Sequence, residues 1–201
     1  VFILRKEDPH ERTENSPGAS HHRHAERFRA SRNARARCRR GGNRSRHLQP
    51  ARILPETCGS RLHVIRSYSA DGLTVERTRL ADFRRTPFVV PGTHGAEIIA
   101  ELTPEAGETI VIKPRYSAFF RTNLDLMLKR LGVERVLVSG TQYPNCIRAT
   151  VNDALSLDYA VSVITDACSA KTEAVAAANI LDMRNLGAEC ITFAEWESRQ
   201  R

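Results

Sequence analysis

The sequence lacks paired cysteine motifs and long apolar runs. Its five cysteines form no Cys-x-x-Cys pair, no zinc-ligand spacing and no even-numbered disulfide framework, so a reducing, cytoplasmic compartment is expected. No apolar stretch approaches the ~18 residues that would indicate a membrane span. The apolar residues Val1–Leu4 are too few for a signal-peptide core and stand before the basic residues instead of after them. These absences argue against disulfide-rich, zinc-binding and membrane-spanning proteins.

Basic charge is concentrated in the first third of the chain. Residues 1–62 hold 15 Lys and Arg against 6 Asp and Glu, whereas residues 63–201 hold 16 against 17. The formal net charge of +8 therefore describes the first segment only, and it is not a nucleic-acid signature of the whole protein. The remaining 139 residues are enough to bury one core. We predict two parts, a basic segment over 1–62 and a folded domain over 63–201.

After residue 61, short apolar strands alternate with helical segments. This alternation predicts an α/β fold with a doubly wound, mostly parallel sheet covered by helices on both faces, a three-layer sandwich. Ligands of such sheets bind beyond the carboxyl ends of the strands, where Lys113 and the turn 140–146 both lie. The strands are predicted at 62–66, 109–113, 135–139, 159–165 and 188–193, and the helices at 96–102, 123–131 (N-cap Thr122), 146–157, 172–186 and in the tail.

Cys146 stands at the first turn of a predicted helix, directly after a strand, Gly140 and a Pro/Asn turn. The free N–H groups and the dipole of a helix N-terminus favour the thiolate form of a cysteine. The core-facing stripe of this helix runs through Ile147, Val151 and Ala154, and Cys146 lies about 100° from Ile147. From position alone, a reactive nucleophile and a buried structural cysteine are equally open.

Two motifs together resemble the isochorismatase-like cysteine hydrolases. Residues 113–119 read Lys-x-x-x-Ser-Ala-Phe, and residues 140–150 read Gly-Thr-x-x-x-x-Cys-x-x-x-Thr. The resemblance extends from about His63 to Phe193. The family includes nicotinamidases, N-carbamoylsarcosine amidases, ureido-acid amidohydrolases and isochorismatase itself. It implies a small-molecule substrate, no cofactor and a homodimer or homotetramer.

The resemblance also implies roles for particular residues. Cys146 corresponds to the nucleophile that attacks an amide or ureido carbonyl, and Lys113 to the cation beside it. The backbone N–H groups of Gln142 and Cys146 correspond to the oxyanion hole, with a cis peptide between Thr141 and Gln142. A cis bond before Pro144 is the alternative, because it costs less energy.

The resemblance narrows the substrate. Nicotinamidases carry an Asp-Trp-His-Pro-like metal motif where this chain reads Ile-Arg-Ser-Tyr-Ser-Ala-Asp-Gly over 65–72. We therefore expect no metal and do not favour nicotinamide. The presence of Cys146 favours hydrolysis of a C–N bond in an amide, ureide or carbamoyl compound. Isochorismatase-type hydrolysis, which needs no thiol, is the alternative.

The family's first strand, central in its six-stranded sheet and ending in a catalytic Asp, has no clear counterpart here. Residues 5–62 lack periodicity. Three explanations are open: a disordered basic arm that binds polyanions, a degenerate strand at Val1–Leu4 followed by Asp8, or a segment translated in a shifted frame, which we favour. The arm contains a single aromatic residue over 20–46, Phe28, so base stacking is not supported. Loss of the Asp would remove ~10²–10⁴ of rate, so a catalytically impaired relative is a further alternative.

Four other residues lie near the predicted site. Arg148, Tyr116 and Phe119 either contact the substrate or have structural roles. Asp166 follows the predicted strand 159–165 and corresponds to an acidic residue with a supporting role in the family.

Overall fold

The structure, a computed structural model, describes residues 61–199. The predicted basic segment, with Asp8 and Phe28, lies outside the described residues except for its last two positions. The strands are β1 (Leu62–Arg66), β2 (Thr109–Lys113), β3 (Arg135–Thr141), β4 (Ala160–Ser169) and β5 (Glu189–Ile191). The α-helices are α1 (Leu80–Arg85), α2 (Leu124–Arg130), α3 (Arg148–Ser156), α4 (Glu173–Asn185) and α5 (Phe193–Ser198). Short 3-10 turns occupy Arg77–Arg79, His94–Ala96 and Ala100–Leu102.

The described strands form two parallel sheets, one of β1 and β2 and the other in the order β3-β4-β5. This confirms the predicted α/β fold with parallel strands. Among residues 61–199, β1 does not pair with β3, and no described strand occupies the central place that the resemblance gives to a first strand. In the smaller sheet Arg66 and Lys113 are register partners. Both strands therefore end side by side in a basic residue.

The core of the larger sheet lies on both of its faces. Along β3, Val136 and Val138 belong to the main apolar cluster, whereas Leu137 between them packs in a second cluster with Trp196 of α5. Successive side chains of a strand point to opposite faces, so β3 is covered from both sides, as expected for a buried parallel sheet. No helix in the described part of the chain is both long and apolar enough to cross a bilayer.

Helix α1 was not predicted, because the stretch before residue 85 reads as polar. Its only buried residue, Phe83, contacts the rings of Tyr68 and Phe88 edge to face at centroid distances of 5.9 and 5.5 Å. These three aromatic residues are separated in the sequence, so their cluster forms only when the chain folds. Tertiary contacts therefore favour a helix that local periodicity does not indicate.

Several predicted boundaries were wrong. The helix predicted over 96–102 is two separate 3-10 turns, and that predicted from 146 begins as a π-helical turn, Tyr143–Ile147, before α3. The N-cap position of α2 belongs to Asn123 and not to Thr122. Strand β4 continues past 165 because, after an irregularity in β3, its residues Cys168 and Ser169 pair with Gly140 and Thr141.

Candidate active site

Cys146 lies in the turn that connects β3 to α3. Gly140 has a φ of 128°, a value that side chains with a Cβ rarely adopt, so glycine is required where the strand ends. The peptide bond between Thr141 and Gln142 is cis. Tyr143 anchors this turn in the core. It is 1% exposed, and its hydroxyl donates a hydrogen bond to the backbone oxygen of Thr165 at 3.0 Å. Cys146 itself is half-buried, so its sulfur is neither sealed in the core nor fully exposed.

Lys113, at the end of β2, is 2% exposed. Its ammonium group lies near enough to the sulfur of Cys146 to be influenced by it and donates to the backbone oxygen of Tyr116. Burial lowers the pKa of Lys113, and the neighbouring Cys146 opposes that shift because a thiolate favours the charged ammonium. The structure thus places Lys113 and Cys146, one from each motif, close together.

A side-chain hydrogen bond joins the motifs a second time. The hydroxyl oxygen of Thr150, on α3, accepts the backbone N–H of Ala118 at 3.0 Å. Thr150 is 1% exposed and Ala118 equally so, so this bond is shielded from water. It holds the segment that follows Lys113 against the helix that follows Cys146, and it gives the last Thr of the second motif a structural role.

Arg66 is a second cation beside the sulfur, which sequence reasoning missed. Its Nη2 donates to the Sγ of Cys146 at 3.6 Å, and its Nη1 donates to the hydroxyl of Tyr68 at 3.0 Å. The carboxylate of Glu76 lies 3.6 Å from the same Nη1 and accepts a hydrogen bond from Tyr68. Burial and the bond to Glu76 raise the pKa of Tyr68 to about 12. The guanidinium also lies 4.5 Å from the ring centroid of Tyr116, a cation–π contact.

Arg66 could have been found from one signal. The two strands β1 and β2 are equally long, and each ends in a basic residue. Had the two been aligned as parallel neighbours, Arg66 would have fallen beside Lys113. Glu76 had no such signal, because it reaches the network from a polar loop.

A cavity of about 510 Å³ opens above the sulfur, a volume typical of small-molecule sites. It is lined by the predicted site residues Lys113, Thr141, Gln142 and Cys146, and also by Arg66, Arg79, Phe88, Glu97 and Tyr116, among others.

The other cysteines of the described residues differ from Cys146. Burial raises the pKa of the Cys168 thiol to about 12, and burial likewise raises the pKa of Cys190. Cys168 is 7% exposed and Cys190 is 6% exposed. Both are core residues.

The structure gives the lower-ranked candidates separate roles. Tyr116 lines the cavity, whereas Phe119 stacks on Tyr159 at 5.9 Å in the core. Arg148 pairs with Asp182 of α4 at 2.7 Å, and it does not line the cavity. Asp166 lies within β4 and accepts the backbone N–H of Phe193 at 2.8 Å, so it holds the start of α5.

No group of three or more His, Cys, Asp and Glu side chains within residues 61–199 is arranged to hold a metal ion. Within the segment 65–72, Arg66 and Tyr68 instead form a charged and hydrogen-bonded network with Glu76.

Comparison with known proteins agrees with this geometry. The family model for the isochorismatase domain matches residues 23–195, and the match therefore begins upstream of His63. An Arabidopsis thaliana protein named as a probable inactive nicotinamidase is 43% identical over 137 residues, which cover 66% of this chain and 70% of that relative. Ureidoacrylate amidohydrolase RutB from Serratia proteamaculans is 37% identical over 71 residues, 35% of this chain and 29% of the relative.

A solved structure has the same fold. The isochorismatase family protein from Desulfovibrio vulgaris is 49% identical and superimposes with a TM-score of 0.68, covering 71% of this chain and 75% of that one. The family match spans well over half of the 201 residues. The chain belongs to the isochorismatase family and is a hydrolase of that family.

Proposed function

We propose that this site hydrolyses a C–N bond in a small amide, ureide or carbamoyl compound, with Cys146 as nucleophile and Lys113 as its cationic partner. One observation carries the proposal: the sulfur of Cys146 lies on a cavity of small-molecule size, accepts a hydrogen bond from Arg66 and has the buried cation Lys113 beside it. Cations in contact with a sulfur favour its thiolate form, which is the nucleophilic form.

The reaction has two halves. The thiolate attacks the carbonyl carbon, the C–N bond breaks, and ammonia or an amine leaves with the proton that the thiol gave up. Water then attacks the thioester carbon, the S–C bond breaks, and the acid product leaves while the sulfur is restored. The backbone N–H groups of Gln142 and Cys146 would stabilise the oxyanion that forms in each half, since both residues line the cavity.

The named relatives support C–N chemistry. The Serratia relative is a ureidoacrylate amidohydrolase and the Arabidopsis relative is named for nicotinamidase, and both names describe cleavage of a C–N bond. The Serratia alignment covers only 29% of that relative, so its substrate is not transferred to this chain. The relatives therefore support only the class of bond that we propose, a C–N bond.

A catalytically impaired relative is the second candidate. The Arabidopsis protein carries the word "inactive" in its name. The proton relay between thiol and leaving group needs an acid–base group, and Glu76 is engaged by Arg66 and Tyr68. The other candidate, Asp8, lies outside the described residues.

A hydrolysis screen tests both candidates. The full chain is incubated with small amides, ureido acids and biuret, and released ammonia is measured beside a Cys146→Ala control. A second protein, with the upstream reading frame restored, is tested in parallel. Activity that disappears in Cys146→Ala supports the hydrolase. Activity only in the protein with the restored frame supports the second candidate, a catalytically impaired chain. Absence of Cys146-dependent activity from both proteins would contradict the proposed function.

A further inference from the structure

Among the side chains that the structure describes, more basic than acidic ones line the cavity above Cys146. The basic ones are Arg66, Arg79 and Lys113, and the acidic one is Glu97. Glu97 is itself paired with the ring of His94 at 2.9 Å. A cleft with such a balance and apolar walls concentrates a positive potential. An anionic ligand is therefore favoured over a neutral one.

The three cations are not equally available to a ligand. Arg66 is engaged by Glu76, Tyr68 and the sulfur, and Lys113 by the Tyr116 backbone and the sulfur. The guanidinium of Arg79 makes no hydrogen bond or ion pair with any residue between 61 and 199. Arg79 is half-buried, so its charge has given up part of its water without gaining a carboxylate.

The position of Arg79 is fixed by aromatic packing. Its guanidinium lies 4.8 Å from the ring centroid of Phe88, and Phe88 is held edge to face by Tyr68 and Phe83 at 5.5 Å each. A cation–π contact uses none of the N–H groups of a guanidinium, and two parallel N–H bonds of such a group match a planar carboxylate. Phe88 and Arg79 both line the cavity, so Arg79 borders the space that a ligand would occupy.

We propose that Arg79 is a specificity-determining residue that binds a carboxylate of the substrate. The inference rests on the proposed function and narrows it: the substrate is a small acid that carries an amide or ureido group. The carbonyl of that group lies at Cys146, and the carboxylate lies at Arg79.

A binding experiment tests this without turnover. The full chain carrying Cys146→Ala is titrated with succinamate and with succinamide, which differ in one carboxylate, and ligand-observed NMR gives each dissociation constant. We expect succinamate to bind about tenfold to a hundredfold more tightly, as a hydrogen bond to a charged group predicts. Arg79→Gln should abolish the difference, and Arg79→Lys should restore part of it because the charge returns without the planar fork.

Arg77→Gln is the matched control, because Arg77 is exposed and lies in the same 3-10 turn. It should keep the preference for succinamate. Thermal unfolding shows whether Arg79→Gln and Arg79→Lys are both folded. Equal affinity for the two compounds, no detectable binding of either, or a preference that survives in Arg79→Gln would overturn the inference.

The result is separable from that of the hydrolysis screen. An Arg79-dependent preference for succinamate in a chain without Cys146-dependent activity upholds the carboxylate site and removes the hydrolase. Cys146-dependent turnover with no preference for succinamate upholds the hydrolase and removes the carboxylate site.

Discussion

The two sheets contribute different chemistry to one cavity. The larger sheet supplies the turn that carries Cys146, and it holds that turn by apolar packing: Tyr143 and Ile147 on either side are 1% and 0% exposed. The smaller sheet supplies charge, with Lys113 and Arg66 at its strand ends. Packing stabilises the fold and fixes where the sulfur lies. Buried charges cost stability and act on the state of the sulfur. The position of the Cys146 sulfur and the charges around it therefore come from different sheets.

The largest effect is expected when the reactivity of the Cys146 thiol is compared with that of the Cys168 thiol. Burial raises the pKa of Cys168 to about 12, which leaves on the order of one molecule in 10⁴ as thiolate at pH 8. We expect iodoacetamide to label Cys146 at least ~10³-fold faster. Peptide mass spectrometry measures the rate at each cysteine.

Two controls accompany the labelling. Unfolding in urea should make the rates similar, because burial no longer protects Cys168. Raising the pH toward 12 should accelerate Cys168, since its thiolate fraction grows with pH below its pKa. Similar labelling rates for Cys146 and Cys168 in the folded protein near pH 8 would show that the charges of the smaller sheet do not activate Cys146.

The second prediction concerns the charge network of the smaller sheet. Arg66→Met leaves the carboxylate of Glu76 buried without its cation, and we expect a loss of about 3 kcal/mol in the free energy of unfolding. Glu76→Gln added to Arg66→Met should recover most of that loss. Urea titration gives both values. As a control, Arg85→Met removes an exposed pair with Asp82 and should cost less than about 1 kcal/mol. Losses of equal size for the two arginines would show that Arg66 is not buried in a charge network.

Removing the lysine should affect chemistry more than folding. Lys113→Met takes away the buried cation that contacts the sulfur, and we expect kcat/KM to fall ~10²-fold or more, together with slower labelling of Cys146. Lys129→Met is the control, because Lys129 is exposed and pairs with Asp125 on α2. Steady-state kinetics on the best substrate of the screen measures the effect. An unchanged labelling rate in Lys113→Met would remove Lys113 from the role of thiolate partner.

The smallest effect is expected at the bond that joins the two motifs. Thr150→Val keeps the shape of the side chain but leaves the buried N–H of Ala118 without its acceptor, at a cost of about 1–2 kcal/mol. Thr86→Val, at an exposed position, should change stability by less than ~0.5 kcal/mol. Urea unfolding of the two variants is the test, and equal stabilities would show that the bond contributes nothing measurable.

Much of the site was predictable because its signals are local. The strand before Gly140, the turn and the following helix occupy one stretch of about twenty residues, and the motif over 113–119 places Lys113 at a strand end. Both residues then lie at the carboxyl edge of a parallel sheet by topology alone. The two motifs also carried the family resemblance, and the family match and fold confirmed it.

Other features could not be predicted, because they depend on distant parts of the chain. Helix α1 forms around an aromatic contact between Phe83 and Tyr68. Glu76 joins the site only after the loop folds back on β1. Phe119 and Tyr116 are three residues apart, and no local signal distinguishes their roles. Phe119 packs in the core, whereas Tyr116 lines the cavity.

The sequence by itself determined the order of the five described strands and the positions of Cys146 and Lys113 at one edge of the fold, since apolar periodicity, turn residues and motif spacing are local properties. The tertiary structure alone decided which charges surround the sulfur and which of them are already paired. Electrostatic interactions act through space, and the partner of a buried charge is whichever group the folded chain brings within a few ångströms. Arg66 found such a partner in Glu76, and Arg79 found none among the described residues.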